Sequence, residues 1–183
     1  MYGLVNKAIE GLVVSEFGAS KWQQIKAKAG YHEETFISMI SYDDSITYNL
    51  VAAASEITKV SSESLLEAFG SYWVKYTAEE GYGDMLKMGG DNFVDFLTNL
   101  NDLHQRVGSM MPSLVPPFFE TEGLEYNKIK LTYISKRVGL VPMVIGLLKG
   151  LVERFDIQNL NIQSMATLHE RDEYYTQFIL NWK

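Results

Sequence analysis

The stretch "MMPSLVPPFF", residues 110–119, constrains this chain more than any other. Pro112, Pro116 and Pro117 lack the amide hydrogen that a helix interior needs and clash with the preceding turn, so no helix crosses it. Before it the apolar spacing is helical: Leu4, Val5, Ala8, Ile9, Leu12 and Val13 make one stripe, and Leu65, Leu66, Phe69, Trp73 and Val74 another. Breaks fall at Gly18, "KAGYHEE", "SYDDS", "TKVSSES" (where Ser62 can cap the next helix), "EEGYGD" and "GGDN", which predicts about six helices joined by short loops. After the prolines the apolar residues alternate, in "YNKIKLTYISKR", "FDIQNLNIQSM" and "EYYTQFILNW". In the last of these, Tyr174, Thr176, Phe178, Leu180 and Trp182 share one face. A helical pattern from Pro142 to about Phe155 sits between the strands, with proline tolerated in its first turn. The expected class is α+β: a helical N-terminal half, then an antiparallel four-stranded sheet carrying one inserted helix.

With 183 residues, 46% apolar and 13% aromatic, the chain can fill a real core, and no repeat, low-complexity tract or linker argues for a second domain. A net charge of -7 with no large basic cluster repels a nucleic-acid backbone, so nucleic acid is set aside as a partner. The absence of cysteine excludes disulfides, thiolate metal sites and thioether-attached haem. The start, "MYGLVNKAIEGLVV", has no basic n-region and carries Lys7 and Glu10, so it reads as a helix of the mature fold and the expected location is cytoplasmic. The longest apolar run, "VGLVPMVIGLL", is too short to span a bilayer, so no membrane insertion is expected.

Two sets of residues stand out for chemistry. His32 and His169 lie among charges in loops and read as solvated surface residues. His104 instead belongs to an apolar stripe with Phe93, Phe96, Leu97, Leu100, Leu103 and Val107, on a helix expected from about 91 to 109. A histidine there is either a satisfied core residue or a neutral imidazole available to a haem iron or zinc. No second histidine or carboxylate follows on its face, so a metal bound by protein groups alone is poorly supported, whereas a cofactor bringing its own equatorial ligands needs only one. The second set is Tyr133, Ser135 and Arg137, at every second position of a strand-like run. They form either an outward polar face or three donors for carboxylates, such as the two haem propionates. Gly146 and Gly150, one turn apart, allow close approach of either a flat ligand or a neighbouring helix.

Taken together, "MYGLVNKAIE", "YDDSITYNLVAAASEI", "EEGYGDML", "NLNDLHQRVGSMMPSLVPPFF" and "YISKRVGLVPMVIGLLKGL" resemble the haem nitric oxide/oxygen binding (H-NOX) domains. That family includes stand-alone bacterial proteins and the haem domain of the soluble guanylate cyclase beta subunit. The resemblance covers the whole chain. It implies one H-NOX domain over 1–183, a helical subdomain to about residue 65 and haem-holding elements from about 66, with haem b between the helical half and the sheet. It further implies His104 as the proximal iron ligand, Tyr133, Ser135 and Arg137 as the propionate contacts, Pro117 pressing on the porphyrin with Val5 near the opposite face, and a distal pocket from Ile9, Trp73, Met143 and Leu147.

Family members that hold dioxygen place a tyrosine hydroxyl where this chain has Met143, and a thioether donates no hydrogen bond. This departure points to a sensor that takes nitric oxide and carbon monoxide and largely excludes dioxygen. Trp73 is either an apolar wall or, through its indole N–H, a donor. The resemblance implies a switch in which nitric oxide weakens the iron–His104 bond, the helix carrying it loses a tether, and the helical half shifts against the sheet. The expected protein is not an enzyme. Its output goes to a separate effector, a histidine kinase or a diguanylate cyclase, or else the chain is the N-terminal piece of a guanylate cyclase. A haem peroxidase or nitric oxide dioxygenase would want a distal acid–base pair, and no histidine is placed near Ile9, Trp73 or Met143.

Overall fold

The computed structural model describes residues 1–183, apart from the side chain of residue 80. Among the described residues, helices α1 (Gly3–Phe17), α2 (Ala19–Lys28), α3 (Asp44–Thr58) and α4 (Ser62–Thr77) come first, followed by the short α5 (Gly83–Lys87), α6 (Phe93–Thr98) and α7 (Leu100–Met110). Strands β1 (Phe118–Glu125) and β2 (Lys128–Ser135) precede α8 (Val141–Arg154), and β3 (Asn161–Ser164), β4 (Leu168–Glu170) and β5 (Glu173–Asn181) close the chain. The α+β arrangement expected from the two periodicities is the one observed.

Three local details depart from the sequence reading. "EEGYGD" is not a break: α4 runs on into a π-helical turn at Ala78–Tyr82 and then α5. The cap of α4 is Ser61, whose hydroxyl accepts from the Ser64 N–H at 3.1 Å, with Ser62 as the first helical residue. The expected helix over 91–109 is two helices, parted at Asn99, whose side chain turns back to donate to the Gly89 carbonyl at 3.0 Å.

The sheet is antiparallel, in the order β1-β2-β5-β3, with β4 also on β5. It has five strands rather than four because the outermost strand is interrupted. Ser164 pairs with Phe178 and Leu168 with Tyr175, so four steps along the outer strand pass three along β5, the one-residue excess of a β-bulge. Strand β1, "FFETEGLE", carried little alternation signal because only Phe119 of its side chains is buried. In β2 and β5 alternation does fix the faces: Ile129, Leu131, Tyr133, Thr176, Phe178 and Leu180 all turn inward. The apolar ones among them join Phe93, Phe96, Leu97, Val144, Leu148 and Leu151 in one core, while Ile9, Val13, Trp22, Ile25, Leu50 and Phe69 form a second core among the N-terminal helices.

The glycine spacing of α8 serves helix packing. A Cβ on Gly146 would strike the Glu67 carbonyl oxygen, and one on Gly70 would strike that of Met143, so α4 and α8 touch backbone to backbone. The Ser71 hydroxyl donates to the Gly146 carbonyl at 2.9 Å, and Lys149 pairs with Glu67 at 2.5 Å, which ties the two helices across the same contact. Gly146→Ala therefore forces the helices apart. Overpacking costs about 1–3 kcal/mol or more, against the roughly 1 kcal/mol that alanine gains in a helix interior. A lower urea midpoint than the parent's is the expected result, and an unchanged or higher one would refute the contact.

Candidate functional site

Between the helical half and the sheet lies a cavity of about 1190 Å³ with mostly apolar walls. It is at least as large as the 300–1,000 Å³ or so that ligand pockets commonly enclose. All ten residues singled out from sequence line it: Val5 and Ile9 from α1, Trp73 from α4, His104 from α7, Pro117 from the proline segment, Tyr133 and Ser135 from β2, Arg137 beyond it, and Met143 and Leu147 from α8. Their sequence separation is large, and the fold alone brings them to one place.

His104 stands on the second turn of α7, beside Leu103 and Val107, which also line the cavity. Its ring is tilted against Phe119 at 6.0 Å between centroids. The Nδ1 atom is buried without a hydrogen-bond partner among the described residues. Burial holds the imidazole pKa below its ordinary value, and the Pro117 carbonyl only partly opposes that pull. The ring is therefore neutral at pH 7, the form that binds a metal.

Tyr133 is 3% and Ser135 5% exposed, both on the inward face of β2. The Tyr133 ring packs on Phe119 at 5.5 Å. Burial pushes its phenol pKa up, partly offset by a hydrogen bond with Ser135 and by the Arg137 charge. Arg137 does not continue the strand as alternation predicted. The Ser135 hydroxyl accepts the Arg137 N–H at 3.0 Å, which bends the chain off the sheet, and the arginine reaches the cavity from that bend.

Asp44 is the residue that sequence reading missed. It lies in the first turn of α3, beside Asp43, whose carboxylate caps that helix by accepting the Ser45 N–H at 2.8 Å. Arg137 Nε donates to Asp44 Oδ2 at 2.7 Å and Arg137 Nη1 to the Val115 carbonyl at 2.6 Å, while the Met1 amino group holds Asp44 Oδ1 at 2.5 Å. Burial opposes ionisation of Asp44, yet the bonds from Arg137 and Met1 outweigh it and keep the carboxyl below its usual range. The guanidinium is thus held at the cavity edge by an internal anion. The available signal was the acid pair in "SYDDS", which reads only as a break and a cap when taken locally.

Part of the lining is an apolar cluster: Val5, Ile9, Phe69, Trp73 and Met143 pack together. Trp73 is half-buried, with its ring 5.9 Å from Phe69 and 6.3 Å from Tyr76. Among the described residues no helix is long and apolar enough to cross a membrane, and no group of three or more His, Cys, Asp or Glu could hold a bare metal ion.

An α+β domain with one neutral imidazole in a large apolar cavity and a cationic, hydroxyl-bearing edge is built for a flat cofactor with acidic substituents. The Haem-NO-binding family matches residues 2–174, and the chain belongs to that family of haem-based gas-sensor domains. It is 28% identical over 192 residues to the soluble guanylate cyclase gcy-32 of Caenorhabditis elegans, covering 99% of this chain and 28% of that protein. The chain thus spans little more than a quarter of that relative's length. Among solved structures, an H-NOX protein from S. oneidensis in the Fe(II)NO state superimposes with a TM-score of 0.88 at 23% identity, over 100% of this chain and 99% of that one. An oxygen-binding H-NOX domain related to soluble guanylate cyclases gives 0.86 at 17%, over 100% and 95%. The fold is therefore shared by proteins that hold different gases. H-NOX domains bind haem, and the residues present fit it: a single buried-side imidazole, apolar faces, and hydroxyl and guanidinium donors gathered at one edge.

Proposed function

We propose that the chain is one sensor domain over its whole length, helical to about residue 65 and haem-holding from about 66. It carries haem b, takes nitric oxide and carbon monoxide, excludes dioxygen and has no catalytic activity of its own. The observation that carries this reading is the convergence on one cavity of His104 with Tyr133, Ser135 and Arg137, together with an apolar cluster whose Met143 has no hydrogen to donate. Haem, when bound, would supply an iron that takes the gas as a ligand.

The chain's own residues do the rest. His104 would hold the iron, and its neutral ring needs no proton removed before it binds. Tyr133 and Ser135 donate hydroxyl hydrogens to the propionates, while Arg137 supplies charge, its guanidinium already oriented by Asp44 and Val115. Pro117 and Val5 would pack against the cofactor, and Ile9, Trp73, Met143 and Leu147 would exclude water and give dioxygen no hydroxyl donor. Release of His104 would free α7 and let the helical half move against the sheet, and that motion would be the signal.

The signal passes to a separate effector such as a histidine kinase or a diguanylate cyclase. A second reading, favoured by the match of 99% of this chain to a guanylate cyclase, makes it the sensor piece of such an enzyme. The natural reading frame decides between them.

The test is the visible spectrum of reduced protein under argon, then air, then nitric oxide. A Soret band that ignores air and shifts to a five-coordinate nitrosyl form is the expected result. A stable spectral change in air would overturn dioxygen exclusion, and no Soret band after adding hemin would overturn the haem reading.

A further inference from the structure

Helix α7 meets the sheet through one two-point polar contact. Asn101 precedes His104 by three residues, so the two side chains lie on neighbouring positions of one helix face. The Asn101 amide Nδ2 donates to the Phe119 carbonyl at 2.6 Å, and its Oδ1 accepts the Phe119 N–H at 2.9 Å. Strand β1 is an edge strand, paired on one side only, by β2. In an antiparallel pair alternate residues turn both backbone groups away from the partner, and the bonds to Asn101 mark Phe119 as one of these. The primary amide of Asn101 thus stands where the peptide group of a further strand would be. Phe119 is also the residue whose ring touches both His104, at 6.0 Å, and Tyr133, at 5.5 Å.

We propose that Asn101 is a positioning residue for His104: its bidentate amide clamp on the Phe119 backbone holds α7 against the sheet and sets how readily the imidazole leaves the iron. The inference rests on the reading of His104 as axial ligand. Without the clamp, α7 is tethered to β1 by apolar contact alone, which resists sliding much less than two directed bonds do. Losing both bonds corresponds to roughly a 5- to 150-fold change in a rate that must break them, and a change of about tenfold is expected because the apolar contact keeps part of the tether.

The experiment compares the parent with Asn101→Ala, Asn101→Asp and, as a control, Thr98→Ala. Thr98 donates to the Val94 carbonyl within α6 at 2.9 Å and has no bond to β1. Two quantities are measured: exchange of the Phe119 amide hydrogen in haem-free protein, and the rate at which haem-loaded protein passes from the six- to the five-coordinate nitrosyl spectrum.

Asn101→Ala is expected to expose the Phe119 amide and to speed the spectral change about tenfold. Asn101→Asp keeps an acceptor for the N–H but sets an anionic oxygen against the carbonyl, so it should keep the amide protected and fall between parent and alanine in rate. Thr98→Ala should match the parent in both. Unchanged Phe119 exchange in the alanine variant would show that no clamp exists. Faster exchange with an unaltered spectral rate would reduce Asn101 to a structural role and overturn the proposal. A parent without a Soret band would defeat it through the haem reading instead, and the exchange data would still report on the clamp.

Discussion

Replacing His104 with glycine is expected to abolish stable haem uptake, with the Soret band of protein titrated with hemin falling to the level of non-specific binding. His104 is the one histidine among the residues lining the cavity, and among the described residues no group of three or more His, Cys, Asp or Glu offers the iron another seat. Even disturbing an outer partner of a metal ligand costs about 10–100-fold in affinity, so removing the ligand itself should cost more. The cavity gains the volume of the lost ring, which gives a second arm to the test. Free imidazole added to the glycine variant should enter that space and restore the band, because the apolar walls and the Tyr133–Ser135–Arg137 edge are untouched. The fold should survive, since α7 holds its place through Leu103 and the Asn101 contact. A glycine variant that colours as strongly as the parent would place the iron ligand elsewhere.

The second large effect concerns which gas is held. In a parent that excludes dioxygen as proposed, Met143→Tyr should introduce a stable spectral change in air. Met143 lies in the apolar cluster with Ile9, Phe69 and Trp73, so a phenol hydroxyl there would be a new donor in a dry setting. A hydrogen bond to a partly charged partner is worth about 1.5–3 kcal/mol, and this corresponds to roughly 10- to 100-fold in oxygen affinity. Nitric oxide affinity should change far less, because its complex carries less charge for a donor to stabilise. If the parent already responds to air, the Trp73 indole N–H is the donor, and Trp73→Phe should remove the response while Met143→Tyr adds little. Equilibrium oxygen titrations of the three proteins separate these cases.

The two variants probe different kinds of legibility. His104 could be singled out from sequence because it interrupts an apolar helical stripe with a group that binds metals, a pattern visible over residues 93–107. Tyr133 and Ser135 were legible for a related reason: strand alternation alone sends them to one face, and both are buried there. Arg137 was assigned to that face by the same rule and reaches the cavity by another route, through the Ser135 turn. Its anionic partner Asp44 lies 93 residues away, and no local pattern connects them. Strand β1 was hidden because an edge strand with one buried side chain has almost no hydrophobic period to detect.

By itself the sequence determined the division into a helical half and a sheet, because the proline segment forbids any helix across it and the apolar period changes from 3.6 to 2 on either side. It also determined the chemical inventory: no thiolate, one histidine in an apolar stripe, and an alternating pair of hydroxyls. Only the tertiary structure decided that Gly146 serves helix packing, that Asp44 holds Arg137, and that Asn101 grips Phe119. Each of these is a contact between elements, set by how α4 meets α8, how α3 meets the chain after β2, and how α7 meets β1. Periodicity reports which face of an element is apolar, and it carries no information about which neighbour that face will meet.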